Sequence, residues 1–187
     1  MDKKQLRTTI LTTRNNLDSN MQKTKSMLII NKILASKYFQ QAKNIMLFSA
    51  FGSEVNLTPL LKIIVEQNKQ AYLPFTDKIS RKILPIKVRD VAQLVPGTYG
   101  ILEPKAEGFD PQNYQDLELI ITPGLIFDHS KNRIGYGAGY YDRLFPLLNV
   151  NVIKMGVCFE EQVLPKIPTE EHDIPLDLII TDQRLIK

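Results

Sequence analysis

The chain has 187 residues, of which 43% are hydrophobic and 24% are charged, as in an ordinary soluble globular domain. Its net charge is only +4 and its basic residues are dispersed, which argues against a nucleic-acid partner and favours small anionic ligands. Because the chain has one cysteine, it cannot form an intramolecular disulfide. Its apolar runs are much shorter than a membrane span, which needs about 20 residues. We therefore expect a cytoplasmic protein without a signal peptide or a membrane partner, built as a single domain over 1–187 and acting as a monomer or weak homodimer.

A helix with a basic stripe is predicted at the start of the chain. Apolar residues recur at helical spacing within 6–17, and Lys3, Arg7 and Arg14 share a stripe beside them. At 100° per residue the stripe lies about 20–100° from the apolar face, so it borders the buried surface. Solvated basic side chains are the alternative for Lys3 and Arg7, and Arg14 is expected to be a salt-bridge or surface residue.

A second helix is predicted from a cap at Asp18 to about Ser36. Its expected buried positions are Met27, Ile30, Ile33 and Leu34. Further along the chain, Thr58 and Pro59 predict the N-cap and first position of another helix.

Short, continuously apolar runs typical of strands buried on both faces occupy the rest of the chain. The predicted strands are Ile45–Phe48, Ala71–Pro74, Ile83–Val88, Leu119–Thr122, Ile153–Cys158 and Leu178–Thr181. A helix is predicted near Tyr141–Leu148, and residues 87–113 are predicted to form a long ordered loop with short strand pieces. Strands alternating with helices predict an α/β fold, a three-layer αβα sandwich with a mostly parallel central sheet.

The most informative segment is a glycine-rich loop between a predicted buried strand and a helix. Gly135, Gly137 and Gly139 alternate, which allows backbone N–H groups to approach an anion without interference from Cβ atoms. The loop leads into a helix N-terminus, which favours negative charge. Arg133 and Arg143 flank it and can fork onto phosphate or carboxylate oxygens.

Other side chains of this loop suit a nucleotide that carries magnesium. Asp142 offers a hard oxygen ligand, and Tyr136 and Tyr140 offer flat faces for a ring. The loop lacks the spacing of the dinucleotide fingerprint, because its sixth position is Tyr140, and no Gly-Lys-Ser/Thr follows as in a Walker loop. A purely structural turn remains the alternative.

Several motifs in this order resemble the 5-formyltetrahydrofolate cyclo-ligase family, also called 5,10-methenyltetrahydrofolate synthetases. The signature of that family is matched here by Pro123-Gly124, Phe127-Asp128 and the run Arg133–Asp142, which resemble it in order and spacing. The other matching stretches are Lys3-x-x-x-Arg7, Glu54-Val55, Gly97–Pro104, Glu161-Gln162 and His172-Asp173. One departure is Lys131, which stands where the family usually carries glycine. A left-handed turn there would cost roughly 1 kcal/mol.

The resemblance implies that ATP phosphorylates the formyl oxygen of 5-formyltetrahydrofolate. Nitrogen 10 of the folate then attacks the activated carbon, and the products are 5,10-methenyltetrahydrofolate, ADP and phosphate. Mg²⁺ is the implied metal and ATP a co-substrate. Such chemistry needs positioning and charge neutralisation more than a covalent nucleophile.

The resemblance also implies roles for individual residues. The implied catalytic residues are Arg133, Tyr140 and Arg143. The implied ATP contacts are Lys3, Arg7, Arg133, Ile134, Gly135, Tyr136, Gly137, Ala138, Gly139, Tyr140 and Tyr141. The implied folate contacts are Ser49, Glu54, Tyr136, Gly137, Ala138, Gly139 and Tyr140, with Glu54 accepting hydrogen bonds from the pterin. The implied magnesium ligands are Asp142 and Asp173.

Several of these residues could have a structural role instead. Glu54 could serve as a charge at a helix N-terminus, Asp142 as a helix cap, and Asp173 as a turn residue. An aromatic wall for a folate could come from Phe75, Tyr99 or Phe109, each of which could equally pack in the core or a turn.

Alternatives also remain for the whole protein. A nucleotide-sensing or RNA-associated module would bind without turnover. An isomerase or coenzyme A transferase on a similar framework would use a glutamate such as Glu54 or Glu103, but the arginine-flanked loop favours a phosphate-rich ligand.

Overall fold

The computed structural model describes residues 2–97 and 100–187. The helices are α1 (Lys3–Asn15), α2 (Ser19–Ala35), α3 (Lys37–Gln41), α4 (Thr58–Glu66), α5 (Asn113–Asp116) and α6 (Tyr140–Leu144). The strands are β1 (Asn44–Met46), β2 (Gln70–Asp77), β3 (Lys82–Val88), β4 (Val95–Pro96), β5 (Leu102–Glu103), β6 (Leu119–Thr122), β7 (Ile126–Asp128), β8 (Arg133–Ile134), β9 (Ile153–Val157), β10 (Val163–Leu164), β11 (Leu178–Ile180) and β12 (Leu185–Ile186). None of the helices among these residues is long and apolar enough to cross a membrane.

A seven-stranded sheet forms the centre of the fold, in the order β12-β11-β9-β6-β1-β2-β3. The five strands from β11 to β2 pair parallel with one another. The two outer strands, β12 and β3, pair antiparallel. The mostly parallel sheet predicted from the sequence is therefore confirmed.

Both faces of this sheet are covered, as its strand composition requires. All four residues of β6 are buried, with Leu119 and Ile121 in one apolar cluster and Ile120 in the other. Helices α2, α3 and α4 supply the first cluster, and α6 with the segment after it supplies much of the second. The predicted three-layer α/β architecture is confirmed.

Helix α1 packs outside the main sheet. Ile10 joins a third, smaller apolar cluster with Leu125 and Ile126 of the strand region after β6 and with Ile134 of β8. Strands β10, β7 and β8 form a separate three-stranded sheet there. This arrangement brings the first helix of the chain beside the glycine-rich loop that follows β8.

Several boundaries and burial predictions were wrong in detail. Met27 is exposed and Ile29 is buried in its place. Leu57, not Thr58, is the N-cap of α4, with Pro59 in the first turn. The helix expected up to Leu148 ends at Leu144 and continues as a 3₁₀ turn, because Pro146 lacks the N–H needed for the next helical hydrogen bond.

The turn at Lys131 agrees with expectation. Lys131 has a φ of 66°, the left-handed conformation that favours glycine, in the turn between β7 and β8. Its N–H donates to the carbonyl of Asp128 at 2.9 Å. The turn is closed despite the strain of a residue with a Cβ atom.

Candidate active site

A cavity of about 620 Å³ lies at the carboxyl ends of the parallel strands. Ser49 lines it just beyond β1, and Pro123 and Gly124 line it just beyond β6. The chain leaves β1 towards β2 on one side and β6 towards β9 on the other, so a crevice opens between these neighbouring strands. Ligands of α/β proteins bind at such points of reversed strand order.

Nearly all the side chains predicted for the site converge on this cavity. The predicted residues that line it are Lys3, Arg7, Ser49, Glu54, Arg133, Ile134, Gly135, Tyr136, Gly137, Ala138, Gly139, Tyr140, Tyr141, Asp142 and Asp173. The structure brings them from α1, from the turn after β1, from β8 and the loop after it, from the start of α6 and from the segment before β11.

Arg143 is the predicted site residue that does not line the cavity. Its Nε donates to the carbonyl of Arg81 at 2.9 Å, and its Nη2 donates to the carbonyl of Ala138 at 2.6 Å. The guanidinium therefore ties the turn between β2 and β3 to the glycine-rich loop. In this structure Arg143 therefore supports the loop.

The glycine-rich loop forms one wall of the cavity. Arg7 Nε donates to the carbonyl of Gly135 at 2.8 Å, which anchors the loop to α1. Gly137 has a φ of 105° and Gly139 one of 65°, conformations that residues with a Cβ atom rarely adopt. Because α6 has only five residues, anion binding here would depend on the N–H groups of the loop more than on a long helix dipole.

A salt bridge closes the far end of this loop. Arg133 Nη2 donates to Asp142 Oδ1 at 2.9 Å, and the guanidinium lies 5.4 Å from the centre of the Tyr141 ring. Arg133 Nε is buried and lacks a hydrogen-bond partner among the described residues. Asp142 is not a helix cap, since Gly139 holds that position, so the cap alternative is wrong.

A buried carboxylate faces the same cavity from the turn after β1. Glu54 Oε2 accepts a hydrogen bond from the Phe51 N–H at 2.9 Å, and the Tyr136 hydroxyl lies close enough to affect the charge of this carboxylate. Burial raises the pKa of Glu54, although the Phe51 N–H, the charge of Arg14 and the Tyr136 hydroxyl pull it partly back. Burial and the nearby Glu54 charge raise the pKa of Tyr136 to about 12, so its hydroxyl stays protonated and can donate.

Arg14 is buried, so its expected surface position was wrong. The side chain is 2% exposed, and its Nε donates to Ser53 Oγ at 2.9 Å while its Nη2 donates to the Tyr136 hydroxyl at 2.6 Å. Its position on the same stripe as Lys3 and Arg7, beside the apolar face of α1, was the feature of the sequence that indicated burial near the site. The apolar border of that stripe is where the rest of the fold packs.

Ion pairs surround the cavity near the start of α1. Lys3 Nζ lies 2.7 Å from Asp173 Oδ2 and 2.9 Å from Glu170 Oε1. Burial lowers the pKa of Lys3, but the hydrogen bonds and charges of these carboxylates outweigh it and raise the pKa overall. Burial likewise works against ionised Asp173, yet Lys3 and the Glu170 N–H lower its pKa overall. Asp173 thus stabilises a turn and also meets a cation.

The carboxylates of the cavity do not form a metal cage by themselves. Within 2–97 and 100–187, no three His, Cys, Asp or Glu side chains converge to hold an ion. Asp142 and Asp173 each stand beside a cation, Arg133 and Lys3. Magnesium commonly uses one or two carboxylates together with substrate phosphates, so this donor set fits an ion that arrives with a nucleotide.

The aromatic lining differs from the one expected. Phe109 packs edge-on against Tyr114 at 5.6 Å, Phe75 does not line the cavity, and Tyr99 lies outside the described residues. Phe51 lines the cavity instead and meets the Tyr136 ring edge-on at 6.4 Å. Its position in the turn that carries Glu54 was the signal that the sequence offered.

Comparison with known proteins agrees with this geometry. The model of the 5-formyltetrahydrofolate cyclo-ligase family matches residues 1–182. The chain belongs to the 5-formyltetrahydrofolate cyclo-ligase family. It is 30% identical over 181 residues to the 5-formyltetrahydrofolate cyclo-ligase of Haemophilus influenzae, covering 95% of this chain and 97% of that protein. It is 31% identical to the Mus musculus 5-formyltetrahydrofolate cyclo-ligase, covering 83% of this chain and 81% of the relative.

A solved structure shares the fold of this cyclo-ligase family member. The NMR structure of Aquifex aeolicus 5,10-methenyltetrahydrofolate synthetase superposes with a TM-score of 0.85 at 32% sequence identity. The match covers 99% of this chain and 92% of that one. The chain is therefore an enzyme of this family, with the family's α/β architecture.

Proposed function

We propose that this protein uses ATP and magnesium to cyclise 5-formyltetrahydrofolate to 5,10-methenyltetrahydrofolate, with release of ADP and phosphate. The relatives named for this activity cover almost the whole chain. The cavity supplies two chemically different ends that suit the two substrates.

The end of the cavity formed by the turn after β1 suits a pterin. Glu54 presents carboxylate oxygens, which only accept hydrogen bonds, to a ring whose amino group and ring N–H are donors. Ser49 lies beside it at the carboxyl end of β1, and Phe51 adds an aromatic surface. The pterin would be recognised through hydrogen bonds to a carboxylate that is largely buried.

The other end suits the phosphates of ATP. The N–H groups of the loop Gly135–Gly139 would approach phosphate oxygens, while Lys3, Arg7 and Arg133 supply positive charge along the same wall. Tyr140 and Tyr141 line the same region. Arg143 would act by holding Ala138 in place, so we assign it a positioning role.

Magnesium would bind at this phosphate end, held by Asp142 and Asp173. When bound, it would neutralise charge on the phosphate oxygens. The residues of the chain have their own tasks there: Arg133 keeps Asp142 oriented, and Lys3 keeps Asp173 oriented.

The proposed reaction needs no nucleophile from the protein. The formyl oxygen attacks the γ-phosphorus of ATP, and ADP leaves. Nitrogen 10 then attacks the formyl carbon and loses its proton, and phosphate leaves with the former formyl oxygen. The protein's contribution is to place the two substrates in line and to offset the developing charge, as in other phosphoryl transfers.

One observation supports this proposal above the others. Tyr136 belongs to the glycine-rich loop, yet its hydroxyl accepts a hydrogen bond from Arg14, which also donates to Ser53 beside Glu54, and both Tyr136 and Glu54 line the cavity. A single cavity therefore joins a pterin-binding carboxylate to a phosphate-binding loop. A site for a nucleotide alone would have no use for a buried carboxylate in the same cavity as the loop.

The decisive experiment is a spectrophotometric assay of methenyltetrahydrofolate formation from 5-formyltetrahydrofolate. We expect turnover with ATP and Mg²⁺, and loss of turnover when either ATP is omitted or the metal is chelated. Steady product formation without nucleotide would contradict the proposal. Nucleotide binding without any turnover would instead support a nucleotide-sensing module.

A further inference from the structure

Arg14 occupies a central position between the two ends of the cavity without lining it. The side chain is 2% exposed and extends from α1 between the turn that carries Glu54 and the loop that carries Tyr136. Burying a charged group is costly unless hydrogen bonds offset it; two of the three Arg14 guanidinium nitrogens donate, while the buried Nη1 has no partner among the described residues. Its partners therefore show what its burial achieves.

The guanidinium joins both ends of the site directly. Arg14 Nε donates to Ser53 Oγ at 2.9 Å, and Ser53 Oγ in turn donates to Asn15 Oδ1 at 2.5 Å. Arg14 Nη2 donates to the Tyr136 hydroxyl at 2.6 Å. Ser53 precedes Glu54 in the chain, so one rigid planar fork fixes the pterin turn and the glycine-rich loop together.

The charge of Arg14 also acts on Glu54. The groups that face this carboxylate are the Phe51 N–H, the Tyr136 hydroxyl and the Arg14 cation. Arg14 thus offsets part of the burial that disfavours ionised Glu54. It does so through a buried position where its attraction is only weakly screened.

We propose that Arg14 is a positioning residue that couples folate binding at Glu54 to nucleotide binding at the glycine-rich loop. With Tyr136 held by Arg14, a nucleotide that orders the loop also fixes the guanidinium that holds Ser53, next to Glu54. By linkage, folate then strengthens nucleotide binding by the same factor. This inference rests on the proposed function, because it needs both ligands to bind.

The test is a calorimetric measurement of 5-formyltetrahydrofolate affinity with and without a non-hydrolysable ATP analogue and Mg²⁺. For the wild type we expect the analogue to strengthen folate binding about fivefold or more. Arg14→Met should weaken folate binding roughly tenfold and abolish this enhancement. Arg14→Lys should lose the enhancement but retain more of the folate affinity, since it keeps the charge without the fork.

Lys69→Met serves as the matched control. Lys69 Nζ donates to the carbonyls of Phe39 at 3.1 Å and Gln40 at 3.0 Å, away from the cavity. Its loss should lower the melting temperature and leave the enhancement intact. A pH series adds a readout that simple destabilisation would not move. As the pH is lowered, folate affinity should begin to fall at a higher pH in Arg14→Met than in the wild type, because Glu54 then gains a proton more readily.

Tyr136→Phe decides the case if Arg14→Met does not fold. It keeps the ring and removes only the hydroxyl that receives the Arg14 hydrogen bond, and it should also lose the enhancement. Full enhancement in Tyr136→Phe, or equal weakening of both ligands in Arg14→Met and Lys69→Met, would overturn the inference. A wild type that never binds 5-formyltetrahydrofolate would instead overturn the proposed function.

Discussion

The two ends of the cavity handle charge in opposite ways. At the turn after β1, Glu54 is buried and held by a fixed donor, the Phe51 N–H. At the end that we propose binds phosphate, Lys3 is paired with carboxylates at the cavity wall that could exchange partners when an anion arrives. The first arrangement suits recognition of a neutral ring by fixed acceptors. The second suits a ligand whose own charge enters and leaves in every cycle.

The largest expected effect comes from changing the loop. Gly137 has a φ of 105°, so Gly137→Val forces an unfavourable backbone and adds branched carbons where phosphate would approach. We expect nucleotide affinity to fall at least about 100-fold, equivalent to roughly 2.7 kcal/mol, when measured by calorimetry.

The control for this loop variant is Asn68→Val. Asn68 also has a positive φ, 57°, but lies after α4 and outside the cavity lining. It should destabilise the fold without changing nucleotide affinity. Unchanged nucleotide affinity in a folded Gly137→Val protein would rule out the loop as the phosphate site.

Glu54→Gln tests the buried end and should weaken folate about 10–100-fold, with little effect on ATP. The amide replaces one acceptor with a donor that opposes the donors of the pterin. Calorimetry with each ligand separately measures both losses. Equal losses for both ligands would show that Glu54 supports the fold and does not read the pterin.

Glu54→Gln should also change how the stability of the fold depends on pH. The pKa of Glu54 is raised above its ordinary value of 4.5, so its ionisation opposes folding as the pH rises above that value. Relative to wild type, Glu54→Gln should therefore melt similarly below about pH 4 and at a higher temperature near neutrality. A lower melting temperature for the variant at neutral pH would contradict this sign.

Asp142→Asn probes the exchangeable end and should have a smaller effect. Asparagine can still accept the hydrogen bond from Arg133 Nη2, so the melting temperature should change by only a few degrees. The loss of one negative charge should raise the Mg²⁺ concentration needed for half-maximal rate and lower the maximal rate about tenfold. A collapse in stability with unchanged magnesium dependence would make Asp142 a structural residue.

The smallest effect is expected from a substitution that lies outside both ends of the cavity. Lys131 adopts a φ of 66° in the turn between β7 and β8 and does not line the cavity. Lys131→Gly should relieve the strain and stabilise the fold by up to about 1 kcal/mol, with unchanged activity. Urea denaturation checks this as a higher midpoint with an unchanged slope. A lower midpoint would show that the lysine side chain contributes contacts that outweigh its backbone strain.

The sequence predicted local features of the fold better than its long-range contacts. Strand β6 was placed at Leu119–Thr122 without error, because an apolar run with a turn signal after it leaves little freedom. Asp18 was correctly placed as the cap of α2. Met27 was misplaced because α2 is apolar on more than one face, so spacing alone did not select the buried side.

The same limit applied to the site. The glycine-rich loop and Glu54 could be found because each belongs to a contiguous motif. Arg14 could not be assigned its role, since its partners Ser53 and Tyr136 lie 39 and 122 residues away and nothing local specifies them. Arg143 carried the charge expected of a phosphate ligand, but the carbonyls of Arg81 and Ala138 take its donors.

The bond between Lys3 and Asp173 spans 170 positions of the chain, and that separation matters during synthesis. The first helix leaves the ribosome long before the segment that will pair with its lysine has been translated. Until then, its basic stripe has no carboxylates from that segment to meet. The nucleotide end of the cavity can be completed only when nearly all of the chain has emerged, so a ribosome stalled before Asp173 would hold a chain unable to assemble this wall of the site.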